Sequence, residues 1–246
     1  MQADSTAKKV ALVIGAGDST GGAIAKRFAR EGYVACVTRR SADKLQTLVD
    51  EIVAAGGQAR GYASDARKEE EVIQLVEDIE RDVGPIEVMV FNIGANVPCS
   101  ILEETARKYF KIWEMACFGG FLVGREVAKR MVTRERGTIL FTGATAGLRG
   151  SANFAAFAGA KHALRALAQS MARELGPRNI HVAHVVVDGA IDTDFIKTNF
   201  PERYAMKDQD GILNPDHIAD NYWHLHIQPR DSWTHELDLR PWIERW

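Results

Sequence analysis

Cysteine is scarce in this chain. Its three cysteines, Cys36, Cys99 and Cys117, form no CxxC pair and no metal-ligand spacing. Neither a disulfide framework nor a metal site is therefore expected, and the thiols read as buried or reduced groups of a cytosolic protein. Long apolar runs are missing as well. None approaches the ~20 residues that a membrane-spanning helix needs. The N-terminal stretch MQADSTAKK has no apolar core, so no secretory signal is expected and the reading is cytoplasmic. Charge of one sign is also lacking. Lysine and arginine number 31 against 33 aspartates and glutamates, for a net charge of −2, and there is no electrostatic case for nucleic acid or an anionic membrane as partner. No repeat, low-complexity segment or linker divides the 246 residues, a length that one α/β domain can fill.

Glycine-punctuated strand–helix units are what the chain does contain. Residues 10–14 form a short apolar run, as a strand buried on both faces of a parallel sheet would. The run enters Gly15, Gly17, Gly21 and Gly22. Ile24 and Phe28 then lie four apart among Lys26, Arg27 and Arg30, which predicts a helix with one buried face, closed by Gly32. A strand, a glycine turn and a helix N-terminus aim backbone N–H groups and a positive helix end at a phosphate.

The same alternation continues. Strands are predicted at 33–38, 59–63, 88–91, 138–142 and 180–187. Helical stripes run through Leu45–Ile52 positions, through Val72, Val76, Ile79 and Val83, and over 105–133 and 153–175. Gly119, Gly120 and Gly124 inside the long helical segment predict close backbone packing. Strict β–α alternation argues for one doubly wound parallel sheet with helices on both faces and ligands at the carboxyl ends of the strands.

Over residues 9–193 the chain resembles the short-chain dehydrogenase/reductase family. The family's first turn, T-G-x-x-x-G-x-G, is matched by Ile14, Gly15, Ser19 and Gly21, with Ser19 in place of the middle glycine. That serine either holds the diphosphate further from the backbone or offers it a hydroxyl. Ser64-Asp65-Ala66 resembles the family's adenine-contacting turn, Asn92-Ile93-Gly94 its N-A-G motif, and Asp188-Gly189 with Thr193 its P-G-x-x-x-T segment beside the nicotinamide, with Asp188 replacing proline. The resemblance implies a single-domain, Rossmann-like sheet of about seven strands. It also implies a cofactor held by Gly15, Ser19, Thr20, Gly21, Asp65, Asn92, Gly94, Lys161, Gly189 and Thr193. NAD-specific members place a carboxylate at the end of the second strand. Here Thr38-Arg39-Arg40 stands there, and guanidinium groups suit a 2′-phosphate, so NADP(H) is expected over NAD(H).

The chemistry departs from the family's pattern. Members use Tyr-x-x-x-Lys, a serine thirteen residues before the tyrosine and an asparagine on the preceding long helix. Lys161 is retained. The tyrosine position is Phe157, the serine position Ala144 and the asparagine position Ala116. With an ordinary pKa near ~10.4, Lys161 alone is a poor base at neutral pH. Thr142, Thr145 and His162 are the substitute donors to consider. His162 lies about 100° around the helix from Lys161 and is expected to point away, which leaves Thr145 as the better candidate.

Beyond Thr193 the resemblance implies a substrate lid, polar and aromatic over 195–211, followed by a helix at 215–227 and a last strand at 233–239. His224 and His226 are two apart, hence on different helix faces, and read as surface or interface residues rather than metal ligands. Trp223, Trp233, Trp242 and Trp246 fit either core packing or a subunit contact. Small residues on the two long helices, Gly119, Gly120, Ala155, Ala156 and Ala160, suggest a homodimer or homotetramer. Two functions stay open. One is an NADP-dependent oxidoreductase for a small-molecule carbonyl or alcohol with a rebuilt or weak proton-transfer site. The other is a nucleotide-binding protein without turnover, serving as a cofactor sensor or an assembly subunit.

Overall fold

The computed structural model describes residues 8–94 and 96–245. Most of the N-terminal stretch read for a leader, and Trp246, lie outside them. The first strand, β1 (Val10–Ile14), is buried along its whole length. After it come α1 (Thr20–Arg30), β2 (Val34–Arg39), α2 (Gln46–Ala54), β3 (Gln58–Ala63), α3 (Glu69–Asp82) and β4 (Ile86–Phe91). Then α4 (Ala106–Trp113) passes through a π-helical turn (Glu114–Phe118) into α5 (Gly119–Arg134), followed by β5 (Gly137–Thr142), α6 (Ala155–Leu175) and β6 (Ile180–Val187). Two short helices, α7 (Asp194–Asn199) and α8 (Pro201–Tyr204), occupy the lid segment. They precede α9 (Pro215–Ile227) and β7 (Glu236–Leu239).

The seven strands pair in the order β3-β2-β1-β4-β5-β6-β7, all parallel. The chain winds outward from β1 to β3, returns to start again at β4, and winds the other way. Helices leaving β1 and β4 therefore diverge and open a crevice at the carboxyl ends of these two strands. Period-two alternation explains why β1 is apolar throughout. Val10, Leu12 and Ile14 pack with residues of α3, α5 and α6, among them Val76, Val123 and Leu164. Ala11 and Val13 pack with α1, α2 and α9 through Ile24, Phe28, Ile52 and Tyr222. Full burial of one such large side chain contributes roughly 1.5–3 kcal/mol.

Three expectations change on folding. The α5 glycines serve the chain's own core. A Cβ on Gly119 would lie 3.1 Å from the Ala66 carbonyl oxygen, and one on Gly120 would lie 2.7 Å from Leu164. Ala156 and Ala160 are buried in the same subunit too, so these residues give no argument for a second copy. His226 is not a surface residue. Its ring packs among Phe28, Tyr33 and Trp223, with Nε2 2.7 Å from the Tyr33 hydroxyl and Nδ1 2.9 Å from Thr138 Oγ1. Sequence spacing puts His224 and His226 on different faces, but the docking of α9 on α1 decides which face is inside. The last strand begins at Glu236 rather than at 233, because Trp233 stacks face to face on His181 at 4.9 Å.

His184 is buried and His226 largely so, and in each ring the neutral form is favoured. Desolvation lowers each pKa to about 4. His184 keeps one partner, Glu236, at 3.0 Å. An unfolded histidine takes up its proton near ~6.5. Between that value and about 4 the unfolded state binds more protons than the folded one, so stability is full above the window and falls as pH drops through it. Urea unfolding should lose roughly 2–3 kcal/mol per histidine over this window. A His226→Asn variant should show a shallower fall, and a midpoint equal at pH 7 and pH 4.5 would contradict the burial of both rings.

Candidate active site

The crevice between β1 and β4 is a groove with two connected lobes, about 520 Å³ and 290 Å³, which share Gly15, Gly17, Asn92, Ile93 and Gly94 in their linings. The turn after β1 is built for close approach. Gly15 has φ +83°, and a Cβ there would lie 2.8 Å from the Asn92 carbonyl oxygen. A Cβ on Gly21 would lie 2.5 Å from the Gly15 carbonyl oxygen. The turn is tied down by the Gly15 and Ala16 N–H groups, which donate to the Thr38 carbonyl, and by the Asn92 amide, which donates to the Gly15 carbonyl at 3.2 Å. Ser19 caps α1 without using its side chain, and no acidic residue occupies the first helical turn. The hydroxyls of Ser19 and Thr20 are buried and make no hydrogen bond among the described residues. Two unpartnered hydroxyls at a positive helix end fit a diphosphate.

Thr38, Arg39, Arg40, Asp65 and Arg67 line the smaller lobe. Arg67 grips Asp65 with Nε at 2.8 Å from Oδ1, and this contact holds the Asp65 carboxyl down at about 2. Arg39 Nη1 donates to Asp18 Oδ1 at 3.2 Å and to the Lys44 carbonyl at 3.3 Å. An ion pair with a carboxylate as exposed as that of Asp18 is weak, so the guanidinium remains available to a stronger anion. At the other end, Gly189 has φ +152°, and a Cβ there would meet Pro241 at 2.7 Å. Thr193 caps α7, accepting from the Ile196 N–H at 3.1 Å, and its own hydroxyl proton is left for the cleft it lines.

Lys161 lines the larger lobe with 2% exposure. Its ammonium donates to the Thr142 carbonyl at 2.7 Å and to the Ile93 carbonyl at 3.0 Å, joining α6 to the ends of β4 and β5. Burial lowers its pKa to about 8. The ordinary value assumed from sequence is therefore corrected, since it took no account of desolvation. The Phe157 ring centroid is 5.9 Å from Nζ. Phe157 and Ala116 belong to one buried apolar cluster, with Ala144 packed against it. The π-helical turn carries Ala116 into this cluster. Ala116, Ala144 and Phe157, the three positions that the resemblance aligns with the family's polar set, are thus brought together.

Of the substitute donors, Thr142 is engaged elsewhere: its hydroxyl bonds the Tyr222 hydroxyl at 2.7 Å. His162 is exposed and hydrogen-bonded to the Ala158 carbonyl on its own helix, as expected. Thr145 does line the cleft, and its hydroxyl donates to Asp188, which is fully buried. Arg149, also in the lining, and Arg240 stand 3.8 Å and 3.9 Å from that carboxylate. Sequence reasoning missed this group. The visible signal was an aspartate in the place of the family's proline. Its partners, far apart in the chain, carried none.

A model of the short chain dehydrogenase family matches residues 9–203, and the chain belongs to that family. A 2-dehydro-3-deoxy-D-gluconate 5-dehydrogenase of Formosa agariphila is 31% identical over 207 residues, covering 78% of each protein. Among solved structures, a short-chain dehydrogenase from Rhodopseudomonas palustris is 47% identical, with a TM-score of 0.81 over 95% of this chain and 99% of that one. A metagenomic short-chain oxidoreductase in complex with NADP is 27% identical, also at 0.81, over 96% and 98%.

The burial of Lys161 has a direct spectroscopic consequence. In a lysine ε-carbon NMR titration, one resonance should turn over near a pH of about 8, against the ordinary 10.5. It should vanish in Lys161→Met. A spectrum in which every lysine titrates near the ordinary value would contradict the geometry.

Proposed function

We propose that the protein is an NADP(H)-dependent oxidoreductase acting on a small-molecule alcohol or carbonyl, with a proton-handling end that lacks the family's tyrosine and serine. The observation that carries this reading is Lys161. Its ammonium has three donors, two of which serve the Thr142 and Ile93 carbonyls. The third is free for a nicotinamide ribose hydroxyl. Ser19, Thr20 and the N–H groups around Gly21 would hold the diphosphate. Asn92, Gly94, Gly189 and Thr193 would line the nicotinamide side. Arg39 and Arg40 would take a 2′-phosphate, and the NADP bound to the metagenomic relative supports that choice. A nicotinamide held there would supply the hydride chemistry. The chain itself binds, orients and excludes water around the substrate carbon with apolar side chains, Phe157 and Ala144 among them. The family's pairing through its two long helices is carried over as a proposal for α5 and α6, whose outer groove presents Phe121, Leu167 and Met171.

A second reading, a dinucleotide-binding protein without turnover, is favoured by one observation: Ala116, Ala144 and Phe157 close into an apolar cluster. A positioned acid–base group contributes roughly 10²- to 10⁴-fold in rate, so its absence alone separates a slow enzyme from a fast one.

Calorimetric titration tests the cofactor: NADPH should bind more tightly than NADH, and Arg39→Asp should reverse the order. Equal affinities, or tighter NADH, would refute the assignment. For the chemistry, the paired change Ala144→Ser with Phe157→Tyr should raise carbonyl reduction by on the order of 10²- to 10⁴-fold over wild type. The two must be made together, because both groups act on the same substrate oxygen. Fast wild-type turnover that survives Lys161→Met would show that this reading of the site is wrong.

A further inference from the structure

Thr145 follows Ala144 directly and is the hydroxyl-bearing residue of the turn that leaves β5 beneath the cleft. A threonine hydroxyl has one proton and two lone pairs. In this structure the proton is committed, because Oγ1 donates to Asp188 Oδ1. Asp188 cannot turn away to water. It is fully buried, its backbone N–H is fixed to the Leu239 carbonyl at 2.8 Å, and its side chain lies between Arg149 and Arg240. Its Oδ2 makes no hydrogen bond among the described residues. A carboxylate only accepts, so it fixes the direction of the bond it receives. The lone pairs of Thr145 are what the cleft is offered.

We propose that Thr145 is the specificity-determining residue that meets the substrate oxygen, that Asp188 is its positioning residue, and that the pair makes the site an acceptor which recognises the hydroxyl of an alcohol over the oxygen of a carbonyl. This rests on the reading of the cleft as a nicotinamide-dependent site. A carbonyl oxygen only accepts, and facing the lone pairs of Thr145 it finds no donor there. An alcohol donates its proton to Thr145 and so keeps, on leaving water, the bond that a carbonyl cannot form there. The neighbouring surfaces strengthen the contrast. Ala144 and Phe157 supply no hydroxyl, and the Thr142 hydroxyl is held by Tyr222.

The test reads binding without turnover. The protein is saturated with the tetrahydronicotinamide analogue of NADP, which exchanges no hydride. Matched probes, cyclohexanol and cyclohexanone, are then titrated by ligand-observed NMR. Wild type should prefer the alcohol by on the order of tenfold, the effect of one well-made hydrogen bond against an unmatched pair. Thr145→Ser should keep the preference and Thr145→Val should abolish it. Asp188→Asn should invert it, because the new amide donates to Thr145 Oγ1 and turns the hydroxyl proton into the cleft. A collapse of the buried charge cluster in that variant would instead weaken both probes alike, and the Thr145 pair then decides. A wild-type preference for the ketone, an alcohol preference that Thr145→Val leaves intact, or no alcohol binding to the loaded protein overturns the inference alone. Failure of the analogue to bind, measured first in the same samples, overturns the reading of the cleft and this inference with it.

Discussion

One buried ammonium holds the centre of this cleft. Lys161 reaches from α6 to the Thr142 carbonyl at the end of β5 and the Ile93 carbonyl just beyond β4. A charged group in such a place is costly unless its donors are used, and here two are satisfied by the backbone. The arrangement fixes the floor against which any ligand of the groove must lie. It also depends on the fold above it, since only a strand order that reverses between β1 and β4 brings those two strand ends beside α6.

Around that ammonium the groove divides into unlike halves. Toward the glycine turn the structure leaves polar groups unpartnered and aimed inward, among them the Ser19 and Thr20 hydroxyls. Toward β5 it does the opposite, and Ala116, Ala144 and Phe157 lie in or against one apolar cluster. Another polar function of the cleft belongs to a separate construction, Thr145 on Asp188, with two guanidinium groups from distant parts of the chain beside it. On the proposed reading, cofactor binding and substrate recognition are thus held by different residues, and one can change while the other stays.

Much of this was legible in the sequence, for identifiable reasons. The five-residue run of β1 has no polar interruption because both sheet faces are covered, and the glycines after it are required by backbone approach. Lys161 and Phe157 could be expected on one side of a helix because residues four apart share a face, whereas Ala116 and Ala144 are singled out only by the family resemblance. Spacing failed where burial decides. It gave His226 a face but not the neighbour that covers it, and it left the ammonium of Lys161 at its ordinary basicity. The edge strands were read with less accuracy than β1, as β3 is largely exposed and the start of β7 yields to the stacking of Trp233 on His181. The charge cluster at Asp188 was invisible because its partners come from α6's approach loop and the end of β7, a meeting that only the folded sheet arranges.

The most direct test of the account is a crystal structure of the protein grown with NADPH. The account predicts a dinucleotide along the β1–β4 crevice, its diphosphate on the N–H groups and hydroxyls of Ser19 and Thr20, and its nicotinamide ribose within hydrogen-bond reach of Lys161 Nζ, with Phe157 and Ala144 facing the ring. A dinucleotide bound elsewhere, or a Lys161 ammonium that leaves the Ile93 and Thr142 carbonyls and makes no contact with the ribose, would contradict it.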